Sequence, residues 1–168
     1  MDSVLKSPTT EMDSLKLNFY CEKPEAYHDQ REVIDKVVKD GFGTTDPGVW
    51  HADRIVTLES RDEILGLVTL DAYDYGEGEA IWIEDLVCLP HPLKKDIGLF
   101  SLLWDFILEV LASDFPDHLP ICLHVKKDCE EEQRLIGIYH HKGLVVKGEV
   151  ERPAGRFWLM ELSRRYLK

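Results

Sequence analysis

The chain has 168 residues, 44% hydrophobic and 31% charged, which suits one soluble globular domain able to bury a core without disulfide or metal staples. Twenty Lys and Arg against 32 Asp and Glu leave a net charge of −12, which argues against nucleic-acid or anionic-membrane binding because polyanions are repelled. A cationic partner is compatible with that charge, and so is acidity that serves solubility alone.

Cys21, Cys88, Cys122 and Cys129 make no C-x-x-C pair, so reduced thiols in a cytoplasmic setting are expected. No basic-then-apolar leader opens the chain. The longest apolar run, residues 97–112, is interrupted by Ser101, Asp105 and Glu109, so no membrane span is expected.

Residues 1–14 are polar and aperiodic and read as a flexible tail, with one domain over residues 15–168. Residues 15–21 alternate apolar and polar as a half-buried strand does. Pro24, then Tyr27, Ile34, Val37 and Val38 at helical spacing, then Gly41, mark an amphipathic helix with Pro at its entrance and Gly past its exit. The turn formers of residues 41–48 predict a loop. Residues 54–59 and 63–70 form a hairpin, followed by an acidic turn over residues 71–79 and a strand over residues 80–88. Residues 98–112 make a helix that is apolar almost all round, its polar stripe confined to Ser101, Asp105 and Glu109; such a helix packs on nearly every side. A strand over residues 121–126 precedes a helix that the capping-box pair Asp128 and Glu131 opens and Gly143 closes. Two strands, residues 144–150 and 156–162, finish the chain. The order predicts a single α/β domain with a mixed sheet.

The segment from Glu84 to Trp104 is the most informative: a strand ends, a basic turn follows, and a buried helix starts at Gly98. The first N–H groups of a helix lack intrahelical partners and carry partial positive charge, so an anion such as a pyrophosphate suits that place. Lys94 and Lys95 add formal charge there. The plainer reading is a glycine easing a turn beside solvated lysines.

Four local matches in order resemble the GNAT superfamily of acyl-CoA-dependent N-acyltransferases. The family's Arg/Gln-x-x-Gly-x-Gly/Ala turn is matched by Lys95-Asp-Ile-Gly98-Leu-Phe100, with Leu102-Leu103 after it. Its strand ending in Pro is matched by residues 83–90, its Tyr-x-x-x-Gly-Phe helix exit by Tyr139-His-His-Lys-Gly143-Leu144, and its closing aromatic strand by residues 156–162. The resemblance covers about residues 15–162. Lys95 replaces the usual Arg or Gln, which keeps donors but loses the planar fork. Phe100 stands where a small residue is usual, Glu132 and Leu135 where Asn and Ala are common, and two extra residues lie between Pro90 and Lys95.

The resemblance implies a mostly antiparallel central sheet, splayed at an acyl-CoA site and flanked by helices, and an N-acetyltransferase that moves acetyl from acetyl-CoA to a primary amine in a ternary complex. It places the pantetheine along Val87, Cys88 and Leu89. The pyrophosphate would lie near Lys94, Lys95, Asp96, Ile97, Gly98, Leu99, Phe100 and Ser101. A backbone N–H near Val87 or Cys88 would polarise the thioester carbonyl. Tyr139 matches the usual general acid, although an aromatic there also suits the core face of a helix. Glu84 or Asp85 would be the base; successive strand residues face opposite ways, so one of the two is expected to reach the acceptor, and Glu84 is preferred because similar positions in the family often carry glutamate.

On the acceptor side the expectation is Trp50 and His51 after the first loop, and Asp71, Tyr73 and Asp74 in the acidic turn, where carboxylates and rings would attract an ammonium group. A solvated turn is the alternative there. His140 and His141 point about a hundred degrees apart on a helix, so no metal is expected, and Cys88 reads as a small buried thiol. The alternatives to an acetyltransferase are a catalytically silent acyl-CoA-binding regulatory protein and an interaction protein without a nucleotide ligand. A homodimer is carried as the assembly to test.

Overall fold

The computed structural model describes residues 11–12, 15–61, 63–89 and 98–167. Its elements are β1 (Glu11–Met12), β2 (Leu15–Glu22), a 3-10 segment (Pro24–Gln30), α1 (Arg31–Phe42), a second 3-10 turn (Pro47–His51), β3 (Arg54–Ser60), β4 (Glu63–Asp74), β5 (Glu79–Cys88), α2 (Leu99–Asp114), β6 (Ile121–Lys126), α3 (Glu132–His141), β7 (Leu144–Arg152), β8 (Gly155–Leu162) and a last 3-10 turn (Arg164–Tyr166). The strands form one open sheet in the order β1-β2-β3-β4-β5-β6-β8-β7. All neighbours are antiparallel except β5 and β6, which run parallel. The mixed sheet expected from the sequence is therefore present. β1 falls within the span read as a tail, pairing with the start of β2.

The β5–β6 pairing is the feature that matters for function. It consists of Ile81 with Ile121 and Trp82 with Cys122. Beyond Trp82 the strands diverge, and the β6-facing edge of β5 has no strand partner among the described residues. A parallel crossover must pass through a connecting helix. α2 fills that role: Phe100 and Ser101 at its start border the opening, and its body packs against β2, β3 and β4.

Two cores lie on opposite faces of the sheet. On one face α2 buries Leu99, Leu103, Trp104, Phe106, Ile107, Val110 and Leu111 against Phe19, Leu58, Val68, Ile83 and Leu123, with Tyr139 of α3 beside them. At about 1.5–3 kcal/mol per buried large apolar side chain, these seven residues supply a gross 10–20 kcal/mol, enough to dictate where the helix sits. Ser101, Asp105 and Glu109 form its exposed stripe, as the sequence predicts. On the other face α1 packs Ile34, Val37 and Val38 against Ile55, Leu67 and Val87. β4 is apolar from Ile64 to Val68 because it is covered on both sides.

Three local expectations are corrected. The exit glycine of α1 is Gly43, in the left-handed region at φ 84°, and not Gly41, which lies in the last helical turn. The acidic turn is shorter than expected: Asp71, Tyr73 and Asp74 belong to β4, where pairing with Trp82, Ala80 and Glu79 extends the ladder. The Asp128–Glu131 capping box does not form. Glu131 pairs instead with Arg134, and Glu132 accepts from the Asp128 N–H at 2.7 Å, so the helix starts three residues later than the sequence suggests.

Candidate functional site

A cleft of about 740 Å³ opens where β5 leaves β6. Leu86 and Cys88 of β5, Phe100 and Ser101 at the start of α2, and Leu135, Ile138 and Tyr139 of α3 line it. Its rim carries Arg134, His141 and Lys142. An apolar cleft with Lys142 at its rim, beside a helix N-terminus, can hold a long thiol-bearing arm joined to phosphates.

Gly98 supplies the helix start. It sits at φ 61° and ψ 52°, and among the described residues nothing lies where a side chain would be and no side chain caps the helix. The first internal bond runs from the Leu102 N–H to the Gly98 carbonyl. The N–H groups of Leu99, Phe100 and Ser101 are thus the ones a helix leaves without internal acceptors. The Leu99 side chain is buried in the core. Lys94, Lys95, Asp96 and Ile97 lie outside the described residues.

Lys142 brings positive charge to this spot, and sequence reasoning missed it. Its Nζ donates to Ser101 Oγ at 3.0 Å and lies 5.6 Å from the centre of the Phe100 ring. Its signal was only its place beside Gly143, within the tyrosine motif. Phe100 does not plug the cleft; its ring leans toward Trp104, 6.1 Å away, and forms one wall.

Tyr139 is buried, with its ring 6.0 Å from that of Trp104, and its hydroxyl has no hydrogen-bond partner among the described residues. Burial pushes its phenol up to about 12, so it holds its proton at neutral pH. Glu132, at the position where the family often has Asn, is engaged elsewhere: its carboxylate accepts from the Trp158 indole at 2.6 Å as well as from Asp128.

The expectation that Glu84 and Asp85 face opposite ways is overturned. Opposite Val68 the ladder slips, since Thr69 pairs with Glu84 whereas Leu67 pairs with Val87, and Asp85 takes φ 53°. This bulge adds a residue to β5 and turns successive side chains the same way. Glu84 accepts from the Tyr75 hydroxyl at 2.5 Å, and Asp85 accepts from Thr69 at 3.0 Å and adjoins the Asp46 carboxylate. Both lie on the face of Trp82 and α1, across β5 from the cleft.

Their environments differ. Burial, then the adjoining Asp46 carboxylate, push Asp85 up to about 8, so it is mostly protonated at neutral pH and a poor base there. Glu84 is raised by burial but held back by the Tyr75 hydroxyl. Asp71 is pushed up to about 6 by burial and by Asp53, whose N–H it accepts at 3.1 Å.

The remaining expected residues are dispersed. Val87 is buried against α1, and Leu89 gives its N–H to the Leu65 carbonyl at 2.8 Å, so of the expected strand only Cys88 lines the cleft with its side chain. Trp50 is held by α1, its indole donating to Asp35 at 2.8 Å beneath the Arg31 guanidinium at 4.6 Å. His51 is exposed at the end of its turn. Tyr73 is exposed and edge-on to Tyr75 at 4.7 Å, while Asp74 caps the next turn by accepting from the Gly76 and Gly78 N–H groups. Among the described residues no cluster of three or more His, Cys, Asp or Glu could hold a metal, and no helix is long and apolar enough to cross a membrane.

An open sheet splayed after β5, with a buried helix starting at the splay, is the architecture of the GNAT acetyltransferases, and this chain has that fold. It is similar to an acyl-CoA N-acyltransferase from Pseudomonas aeruginosa, with a TM-score of 0.66 and 14% identity over 88% of this chain and 99% of that one. It is also similar to Arabidopsis thaliana Naa50 in complex with the bisubstrate analogue CoA-Ac-MVNAL, with a TM-score of 0.64 and 12% identity over 86% and 98% of the two chains. A GNAT-family acetyltransferase from Bacillus cereus gives a TM-score of 0.59 and 18% identity over 85% and 94%. No protein-family model matches the sequence, and no curated protein matches it.

Proposed function

We propose that this protein is an acetyl-CoA-dependent N-acetyltransferase acting on a primary amine: a small amine, a polyamine or a lysine side chain. The observation that carries the reading is the cleft at the β5–β6 divergence, with Tyr139 on its wall and Glu84 across the strand. The cleft fits the coenzyme, since its walls are apolar and its rim offers Lys142, Arg134 and the first N–H groups of α2. Bound there, acetyl-CoA supplies an activated thioester carbonyl.

The residues then divide the work. The β5 edge near Val87 and Cys88 offers backbone groups to pantetheine and an N–H to the thioester oxygen. Glu84 takes the proton that an ammonium must lose before its nitrogen can attack, and the surrounding carboxylates favour a cationic acceptor. As the new N–C bond forms and the C–S bond breaks, the Tyr139 hydroxyl gives its proton to the departing thiolate. Asp85 is the weaker candidate for the base, because it is largely protonated at pH 7.

A catalytically silent acyl-CoA-binding protein is the second reading, favoured by Phe100 at the helix start and by the engaged Glu132. A thiol-release assay across an amine panel, run beside thermal melting, separates the readings. A ligand specific to the folded state stabilises it by about 2.7 kcal/mol at a hundredfold excess over its dissociation constant. Stabilisation with amine-dependent CoA release is expected. Stabilisation without release selects the silent protein, and a melting curve unmoved by millimolar acetyl-CoA overturns both.

A further inference from the structure

Arg152 ends β7 at the far edge of the sheet, yet its side chain terminates on the turn between β4 and β5. Its guanidinium makes two bonds of 2.9 Å to the Glu77 carboxylate and lies 4.5 Å over the Tyr75 ring. Its Nε donates to His124 Nε2 at 3.2 Å. His124 stacks on Trp82 at 4.4 Å with planes 6° apart, and Tyr75 packs edge-on against both rings at 5.0 and 5.3 Å. Exposed ion pairs contribute little, but here the Arg152 side chain is 9% exposed and the pairing is two-pronged. Otherwise the turn holds itself with Asp74 and two glycines at positive φ.

We propose that Arg152 is a positioning residue for Glu84: by clamping Glu77 and the face of Tyr75, it holds the turn where the Tyr75 hydroxyl donates to the Glu84 carboxylate. The inference rests on the reading of Glu84 as the base. The groups that face Glu84 are Tyr75 from the turn, Asp46 at the N-cap of the second 3-10 turn, Asp71 from β4 and Asp85 from β5. Burial and the Asp46 carboxylate oppose its ionisation, and Tyr75 favours it by bonding the charged form. A residue on β7 thereby keeps a β5 carboxylate in its basic form without touching it.

The test uses the full chain with Tyr75→Phe, Arg152→Met, Arg152→Lys, Glu77→Gln and the Tyr75→Phe/Arg152→Met double variant. Readouts are kcat and KM for amine and acetyl-CoA, the acid limb of the pH–rate profile, and NMR titrations of the Glu84 carboxyl and the His124 ring. Arg152→Met and Tyr75→Phe are each expected to lower kcat about tenfold, with KM for acetyl-CoA within about twofold, and to move the acid limb and the Glu84 titration to higher pH. His124 titrates at higher pH in Arg152→Met, because burial and the guanidinium hold it down. Arg152→Lys recovers part of the effect, since an ammonium pairs with Glu77 without the fork. Glu77→Gln, at an exposed carboxylate, gives the same direction should Arg152→Met fail to fold. In the Tyr75→Phe background Arg152→Met adds no further displacement of Glu84. A full additive displacement there, or an unmoved Glu84 titration in Arg152→Met, overturns the proposal. If the wild-type chain releases no CoA with any amine, Glu84 falls as a base while the two titrations still decide whether Arg152 sets its hydrogen bond.

Discussion

Gly41 and Gly137 both lie in helices, α1 and α3, and helix propensity alone predicts the same gain of about 0.8–1 kcal/mol when either becomes Ala. The structure separates them. A Cβ on Gly41 would lie 2.6 and 2.8 Å from the two methyls of Val87 and 3.2 Å from its Cβ, whereas a Cβ on Gly137 meets nothing within 4 Å among the described residues. Carbon pairs rest at about 3.5–4.0 Å, so Gly41→Ala demands a displacement of about 1 Å. Val87 cannot give way easily, because it is buried, β-branched and on the strand that carries the cleft. Overpacking of this kind costs about 1–3 kcal/mol, which exceeds or cancels the propensity gain. Gly41→Ala is therefore expected to destabilise by up to about 2 kcal/mol and Gly137→Ala to stabilise by about 0.5–1 kcal/mol. Urea unfolding reads both as opposite displacements of the midpoint at unchanged slope. Val87→Ala in the Gly41→Ala background should cost less than the two single changes summed. Two glycines that respond alike, or a strictly additive double variant, would refute the close approach of α1 to β5.

Three further outcomes follow from the site. Tyr139→Phe should lower kcat while leaving acetyl-CoA affinity nearly intact; equal loss of both would deny it the acid role. Lys142→Met should raise the KM for acetyl-CoA about three- to tenfold with kcat little changed, and should flatten the salt dependence of that KM. An unchanged KM would remove Lys142 from phosphate recognition. Burial and Asp46 push Asp85 up to about 8 from an ordinary 3.8, so the folded state binds more protons across that window and loses stability as pH rises through it. Asp46→Asn keeps the cap on the Gly48 N–H, removes the like charge, and should stabilise by about 1–2 kcal/mol at pH 8 while having less effect near pH 4. Equal slopes of stability against pH in the two proteins would contradict the carboxylate pairing.

Much of the architecture was legible in the residues because burial leaves a periodic trace. The polar stripe Ser101, Asp105 and Glu109 marked the solvent side of α2, and the alternation of Leu17, Phe19 and Cys21 marked the buried face of β2. Gly98 and Tyr139 were likewise legible, because a helix start and a helix exit leave local signatures. What escaped was set by contacts distant in sequence. Period two places Glu84 and Asp85 on opposite faces, and only the ladder slip at Val68 brings them together. The Ser101–Lys142 contact spans 41 residues, and the Glu77–Arg152 pair spans 75. Local sequence thus determined which segments coil, extend and bury. The tertiary fold alone decided which charges meet, because the strength of a charge contact depends on a few ångströms of separation and on local burial, and neither is written in the order of the residues.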